Sequence, residues 1–329
     1  MTSQHKKIYY FFYPTILLAG VFLFVSSTLR PSLPSADAPQ ILYPSPHTYN
    51  LKTIVSIALK SAQESIYLST YTLSDSVIIK QLNKKAAQGI SIELLADKKN
   101  NPHLRSKLHP SIKLTLEKGK GLMHEKILVI DSSSIYLGTA NMSYSSLVIH
   151  DNLLLGLYDP LLATSFLNNK GTRGTEVSGT ESHLYLLPDS SGSHLKTLQS
   201  MLNTAKKTAQ VALFTFTHPA LGKTLSELAQ KGVHVECAID KNTYKGGSRS
   251  LLSTLSSSGI RVYSSSQRKL LHHKWALIDG EILIIGSANW TKAAFTKNKD
   301  YFIKINLTKS NRKVINNYWK DLVYLCNSD

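Results

Sequence analysis

After residue 50 this 329-residue chain runs through the same series of segments twice. Leu51-Lys52-Thr53-Ile54 returns as Leu195-Lys196-Thr197-Leu198, and the alternating run at 65–72 (SIYLSTYT) returns at 210–217 (QVALFTFT). Residues 87–93 return at 229–236 with one insertion, and Asp97-Lys98 returns as Asp240-Lys241. A shared order at a shared offset of about 144 residues marks a duplication, because chance βα patterning does not keep register. Within each copy the periodicity reads helix, strand, helix, strand. Ile54, Ile57, Ala58 and Ala62 share one face of a helix over 51–62, and a helix over 77–88 closes at Gly89 before a strand at 90–95. Alternating strands and helices predict an α/β fold of two pseudo-symmetric halves, each a mixed, mostly parallel sheet flanked by helices.

The expected division is a first half at 47–167, a Gly/Ser/Thr-rich flexible connection at 168–182 and a second half at 183–329. Residues 244–259 read as a second loose stretch. A helix at 310–326 closes the chain, with Val314, Tyr318, Leu322 and Leu325 on one side. Residues 31–46 are rich in Pro, Ser and Ala and read as a linker.

His5, Lys6 and Lys7 precede an uncharged run at 8–29, which as a helix spans about 33 Å, the width of a bilayer core. Residues 1–30 are therefore expected to act as a signal anchor, with a cleaved signal peptide as the competing reading. The basic flank stays cytoplasmic, which puts the remainder, anchored or exported, on the extracytoplasmic side.

Charge narrows the partners. Lys and Arg number 38 against 21 Asp and Glu, a net +17, which attracts anions such as phosphate esters, lipid surfaces or nucleic acid. Hydrophobic residues make up 42%, which excludes disorder for the bulk of the chain. Two cysteines, Cys237 and Cys326, are too few for a disulfide framework or a four-sulfur zinc site, and whether they pair is left open.

The chemistry-bearing residues repeat too. His124-Glu125-Lys126, Asp131 and Gly138-Thr139-Ala140-Asn141 match His272-His273-Lys274, Asp279 and Gly286-Ser287-Ala288-Asn289 at identical spacing. Apolar residues follow each Lys, so each motif opens a buried strand, where residues two apart face the same way. His124 and Lys126 project together, as do His272 and Lys274, while His273 points to the opposite face and packs. A small residue at Gly138 or Gly286 lets a turn bring Asn141 or Asn289 beside the pair. Two halves about one axis would gather all six groups in one cleft.

Here the chain resembles the phospholipase D superfamily, whose HKD signature is this pattern; the resemblance extends over most of 41–326. It implies a phosphodiesterase that needs no metal or other cofactor. His124 attacks phosphorus, His272 protonates the leaving oxygen, and Lys126, Lys274, Asn141 and Asn289 hold the phosphoryl oxygens. Members carry a Glu about eleven residues past the motif Asn to orient each histidine. Asp300 lies eleven past Asn289 and Asp151 ten past Asn141, so these carboxylates are expected in that role. Asp131, Asp279, Thr139 and Ser287 are expected to support the site. Tyr67, Tyr71, Phe214 and Phe216 read as core, and Lys98, Lys99, Lys118 and Lys120 as solvated loops. The other histidines, among them His103, His109 and His234, lack metal-ligand spacing.

The favoured function is a membrane-associated phospholipase D acting on glycerophospholipids, monomeric because both motifs sit in one chain. A nuclease is the alternative, since residues 286–294 (GSANWTKAA) resemble the small bacterial nuclease branch and the charge suits a polyanion. A cardiolipin-type synthase acting by transfer ranks third. A catalytically dead scaffold ranks last, because both motifs are intact.

Overall fold

The computed structural model describes residues 31–45, 48–265 and 269–327. The segment expected to anchor the protein, residues 1–30, lies outside the described residues. Among the described residues no helix is long and apolar enough to cross a membrane.

The first half runs β1 (Gln40–Ser45), α1 (Leu51–Ser61), β2 (Ser65–Thr70), α2 (Ser76–Ala87), β3 (Ser91–Asp97), β4 (Lys113–Glu117), β5 (Lys126–Ile130), β6 (Ser134–Gly138), β7 (Asn152–Tyr158) and α3 (Pro160–Asn169). The second runs β8 (Glu176–Ser178), β9 (Ser182–Leu186), α4 (Ser193–Leu202), β10 (Thr208–Leu213), α5 (Pro219–Gln230), β11 (His234–Ile239), α6 (Lys241–Lys245), α7 (Arg249–Ser257), β12 (Arg261–Ser264), β13 (Lys274–Ile278), β14 (Ile282–Gly286), α8 (Lys292–Thr296), β15 (Tyr301–Asn306) and α9 (Lys309–Asn327). Local chemistry sets the helix starts. Asn50 caps α1 by accepting from the Thr53 N–H, and Asp75 caps α2 by accepting from Val77 and Ile78. Gly89, at φ +86°, ends α2 in the left-handed region.

Among the described residues the strands form two sheets, ordered β1-β7-β6-β5-β2-β3-β4 and β12-β11-β10-β13-β14-β15-β9-β8. Only β2-β3-β4 and β10-β11-β12 pair in parallel; the remaining ladders are antiparallel. The expectation of mostly parallel sheets is thereby corrected. Parallel neighbours need a crossover connection, which α2 supplies between β2 and β3, α5 between β10 and β11, and α6 with α7 between β11 and β12, while residues 98–112 carry the chain from β3 to β4. Beyond the motif strands the connections are short: a turn at 131–133 joins β5 to β6 and one at 279–281 joins β13 to β14, so these strands fold back as hairpins.

Three stretches read as loose are ordered. Within the presumed linker, β1 pairs with β7 and buries Leu42 and Tyr43; its Pro44 is tolerated because the strand lies at a sheet edge. The connection contributes β8, an edge strand on β9. Residues 244–259 include all of α7, whose Leu252 and Leu255 are buried.

Side-chain alternation divides the core. Ile127 and Val129 of β5 meet Trp275 and Leu277 of β13 in a core shared by both sheets, which α9 covers with Ile315, Tyr318, Trp319 and Leu322. Ala276 and Ile278, on the other face of β13, pack among residues of α4, α5 and α7. His273 shares the parity of Trp275 and is fully buried, its Nε2 2.8 Å from the Tyr318 hydroxyl, which accounts for its packing away from its neighbours. Both cysteines are free, with Cys237 buried in β11.

Candidate active site

β5 and β13 begin at the sheet edges where the parallel strands beside them end. Paired backbone bonds then stitch the two motif segments to the opposite halves. The His124 N–H donates to the Lys299 carbonyl at 2.8 Å, and the Lys299 N–H donates back to Leu122 at 2.8 Å. The second motif repeats this: His272 N–H to the Asp151 carbonyl at 2.8 Å, and Asp151 N–H to Leu270 at 2.9 Å. The duplicated segments therefore meet head to head, and both histidines are buried at 6% and 8% exposure.

Each imidazole is oriented by a side chain from the other half. His124 Nδ1–H donates to Asp300 Oδ1 at 2.8 Å, and that oxygen also accepts from Ser287 Oγ at 2.6 Å. His272 Nδ1 lies 3.0 Å from Asn152 Oδ1, which also accepts from Thr139 Oγ1 at 2.8 Å. The Asn152 amide is turned by its own donor: Nδ2 bonds the Ser146 carbonyl at 2.8 Å, leaving Oδ1 as the acceptor. Both imidazoles thus carry their proton on Nδ1, and among the described residues none bonds to either Nε2.

Asn152, not Asp151, occupies the orienting position. It lies eleven residues past Asn141, the spacing of Asp300 from Asn289. Its side chain is not an acid, so only the spacing of the repeat marks it in the sequence. Asp151 pairs instead with Lys269 at 3.3 Å, and only its backbone carbonyl meets His272. Thr139 and Ser287 act through the orienting residues, each hydroxyl also accepting from the backbone, Leu153 N–H at 3.0 Å and Tyr301 N–H at 3.1 Å. This explains the motif glycines. A Cβ on Gly138 would fall 2.3 Å from the Leu153 carbonyl oxygen, and one on Gly286 2.1 Å from that of Tyr301.

Lys126 and Lys274 reach back over the histidines, each Nζ donating to the carbonyl of the His two residues earlier, at 2.7 and 2.9 Å. Tyr71 and Phe214, read from the sequence as core, wall the site: Tyr71 lies edge-on to His124 at 5.0 Å and under Lys126 at 5.5 Å, and Phe214 stands in the same relation to His272 and Lys274 at 5.2 and 5.3 Å. They stand at matching places in the repeat, one position past the ends of β2 and β10, and that shared placement is the signal the sequence carries. Tyr67 and Phe216 do belong to the core. Asn141 and Asn289 follow β6 and β14 at the same edge, and each has a buried Oδ1 without a bond partner among the described residues. The Asn141 N–H donates to Ser146 Oγ at 2.8 Å, which ties it to the Asn152 network.

The structure does not bring Asp131 and Asp279 to this site. Each lies five positions past its Lys, about 17 Å along the strand, so they stand at the far edge of the sheets. There they take the left-handed conformation at φ +50° and +51° and accept three backbone N–H bonds each, from 63–65 and 206–208. They lock the start of β2 and β10 rather than any chemistry.

The charges of the site are coupled. Burial, then Lys274, Lys126 and His124, hold His272 well below the usual imidazole range, so the two motifs sense each other electrostatically. Burial and Lys126 also lower His124, against the pull of Asp300. Burial lowers Lys126 to about 7 and Lys274 well below its ordinary value. Burial opposes ionisation of Asp300, yet the charge and hydrogen bond of His124 hold its carboxyl below the usual range. The two lysines face a single buried carboxylate, Asp300, so an anion between them would favour their charged forms. Among the described residues no three His, Cys, Asp or Glu side chains gather as a metal site.

Known proteins resemble this chain. A family model described as "Cardiolipin synthase, PLD-like domain" matches residues 55–169 and again 198–322. The mitochondrial cardiolipin hydrolase of Xenopus laevis is 29% identical over 138 residues, 41% of this chain and 65% of that protein. A phospholipase D of Rickettsia bellii is 30% identical over 115 residues, 34% of this chain and 57% of that one. The chain thus spans roughly three fifths of the length of these relatives. The phosphatidylserine synthase of Haemophilus influenzae has the same fold, with a TM-score of 0.68 over 87% of this chain and 88% of that one at 11% identity. With its family model matched once in each half, this chain belongs to the PLD-like domain family.

Proposed function

We propose that the protein is a phosphodiesterase that cleaves phospholipids through a phosphohistidine intermediate. The observation that carries this reading is the crossed pair of oriented imidazoles, each held at Nδ1 by the opposite half with Nε2 unbonded. In the first displacement His124 Nε2 forms a bond to phosphorus while the bond to the leaving oxygen breaks and takes a proton from His272. In the second, His272 removes a proton from water, whose oxygen displaces His124. The products are phosphatidic acid and a free head group.

The two orienting groups support this division of labour. An N-phosphorylated imidazole is cationic, and Asp300 at 2.8 Å from His124 offsets that charge. Asn152 is neutral, so a protonated His272 is the stronger acid of the two. The bound diester supplies the negative charge that protonates His272 and both lysines. Lys126, Lys274, Asn141 and Asn289 hold the phosphoryl oxygens. The apolar run at 8–29 holds this basic catalytic part against a lipid surface on the extracytoplasmic side, and one chain supplies a complete site.

The test is release of phosphatidic acid by the full chain from detergent-dispersed phosphatidylcholine, phosphatidylglycerol and cardiolipin, with chelator present. Turnover should be lost in both His124→Ala and His272→Ala, and enzyme denatured at neutral to mildly alkaline pH during turnover should carry the phosphatidyl group on His124. Degradation of single-stranded DNA with every lipid untouched would replace this reading by a nuclease.

A further inference from the structure

Behind the second motif the buried side chains of His273, Tyr318 and Ser45 close a ring of hydrogen bonds around His272. We propose that Tyr318 of α9 is a positioning residue for His272, holding that histidine and its orienting amide in one frame through this ring. The proposal rests on the reading of His272 as the proton donor and adds a residue that neither motif contains.

The direction of each bond is fixed. The Tyr318 O–H donates to the Ser45 carbonyl at 3.1 Å, so its oxygen accepts the His273 Nε2–H at 2.8 Å. Ser45 Oγ donates in turn to the Asn152 carbonyl at 3.3 Å and lies 3.5 Å from that of His150. Asn152 Oδ1 meets His272 Nδ1 at 3.0 Å, and the peptide bond between His272 and His273 completes the ring. Neighbouring imidazoles thereby hold opposite tautomers, Nδ1–H on His272 and Nε2–H on His273. Burial and Lys274 push His273 down to about 3, so it stays neutral. Its Nδ1 has no partner among the described residues, so the bond to Tyr318 is what fixes this ring.

The frame joins distant parts of the chain. Tyr318 and Ser45 are 273 residues apart. α9 lies along β1, with Asn311 accepting from the Leu42 N–H at 3.2 Å and donating to the Gln40 carbonyl at 2.8 Å, and β1 ends at Ser45 opposite Asn152. The backbone bonds at Asp151 set the register of the two segments. The ring adds a side-chain tie between them, and two ties fix an angle where one leaves a hinge. The first motif is held differently. Glu125, in the place of His273, bonds Ser69 of the adjacent strand, and the Asp300 carbonyl accepts the Leu187 N–H at 2.8 Å. The tie from α9 thus serves the histidine whose orienting partner is neutral, where a weaker bond leaves more of the alignment to the frame.

Proton donation matters most when the leaving group is poor. Choline must leave as a protonated alcohol, whereas p-nitrophenolate departs as a stable anion. The full-length protein and its Tyr318→Phe variant are compared on detergent-dispersed phosphatidylcholine and phosphatidyl-p-nitrophenol through kcat/KM, which reports the first displacement alone. It should fall about tenfold for the choline ester and less than about threefold for the nitrophenyl ester. Ser45→Ala, which breaks the ring at another point, should split the two esters in the same sense. An equal loss on both esters marks a purely structural role and overturns the proposal, as does no loss on either. Nitrogen NMR of the histidine-labelled full chain gives a readout independent of turnover. His272, assigned by its absence in His272→Gln, should appear as the Nδ1–H tautomer, and Tyr318→Phe should move it toward a mixture of tautomers; an unchanged tautomer overturns the proposal. If that shift appears while the wild-type protein cleaves neither ester, Tyr318 positions His272 and the phospholipase reading fails.

Discussion

Glu125 sits between the motif residues His124 and Lys126, but its side chain takes the other face of the strand and is 1% exposed. Its Oε2 accepts from Ser69 Oγ at 2.7 Å. Burial raises its carboxyl from 4.5 to about 7, although Lys299 and the Ser69 bond pull it down. The consequence for stability has a definite sign. Below pH 4.5 the group is protonated whether the chain is folded or not. Between 4.5 and about 7 the folded protein keeps a proton that the unfolded chain releases, so stability falls as pH rises, by about 1.4 kcal/mol per unit. Above that window the loss levels off at about 3 kcal/mol. Glu125→Gln keeps an acceptor for Ser69 and cannot ionise. Urea unfolding of both proteins across pH 4.5 to 8 reads chiefly this group, because apart from neighbours that sense its charge, Lys126 among them, the titrations are shared. The difference should move in favour of the variant by about 3 kcal/mol over that range. A difference that stays constant would mean an ordinary carboxyl reached by water, and a movement against the variant would mean an ionised Glu125 paired with Lys299; either result refutes the argument.

Because free Lys126 titrates at about 7 and must be an ammonium to hold a diester anion, kcat/KM should fall above pH 7, while kcat, which reports the anion-bound site, should fall only at higher pH. Profiles on bis(p-nitrophenyl) phosphate check this, and a kcat/KM flat to pH 9 would contradict it. Asn152→Ala should lower kcat about 100-fold with KM little changed, whereas Asp151→Asn should change kcat less than about threefold; equal losses would return the orienting role to Asp151. Tyr301→Phe should destabilise the fold by about 2 kcal/mol in denaturant unfolding, since the hydroxyl accepts from the Gly138 N–H at 2.7 Å and sits 2.8 Å from the Lys126 carbonyl in the buried contact between halves.

The duplication, the boundaries of most helices and the pairing of each His with its Lys were legible in the chain, because a repeat and an i, i+2 alternation are local and need no partner to be read. The order of β1 was not: proline and serine signal a linker until an edge such as β7 is present to pair with Gln40–Ser45. Nor was the orienting pair. Asp151 and Asn152 are neighbours that point to opposite sides, and which of them meets His272, 120 residues away, depends on the register at which the second half lies against the first. Tyr71 and Phe214 differ from Tyr67 and Phe216 in the same way: all four read alike as apolar positions, and only the tertiary contacts put the first two against the histidines and the last two in the core. Asp131 and Asp279, expected from the motif to support the site, stand at the far end of the sheet, since seven extended residues carry a side chain across it. Local periodicity writes the elements into the sequence; contacts between segments more than a hundred residues apart arise only when the two sheets close on their shared core.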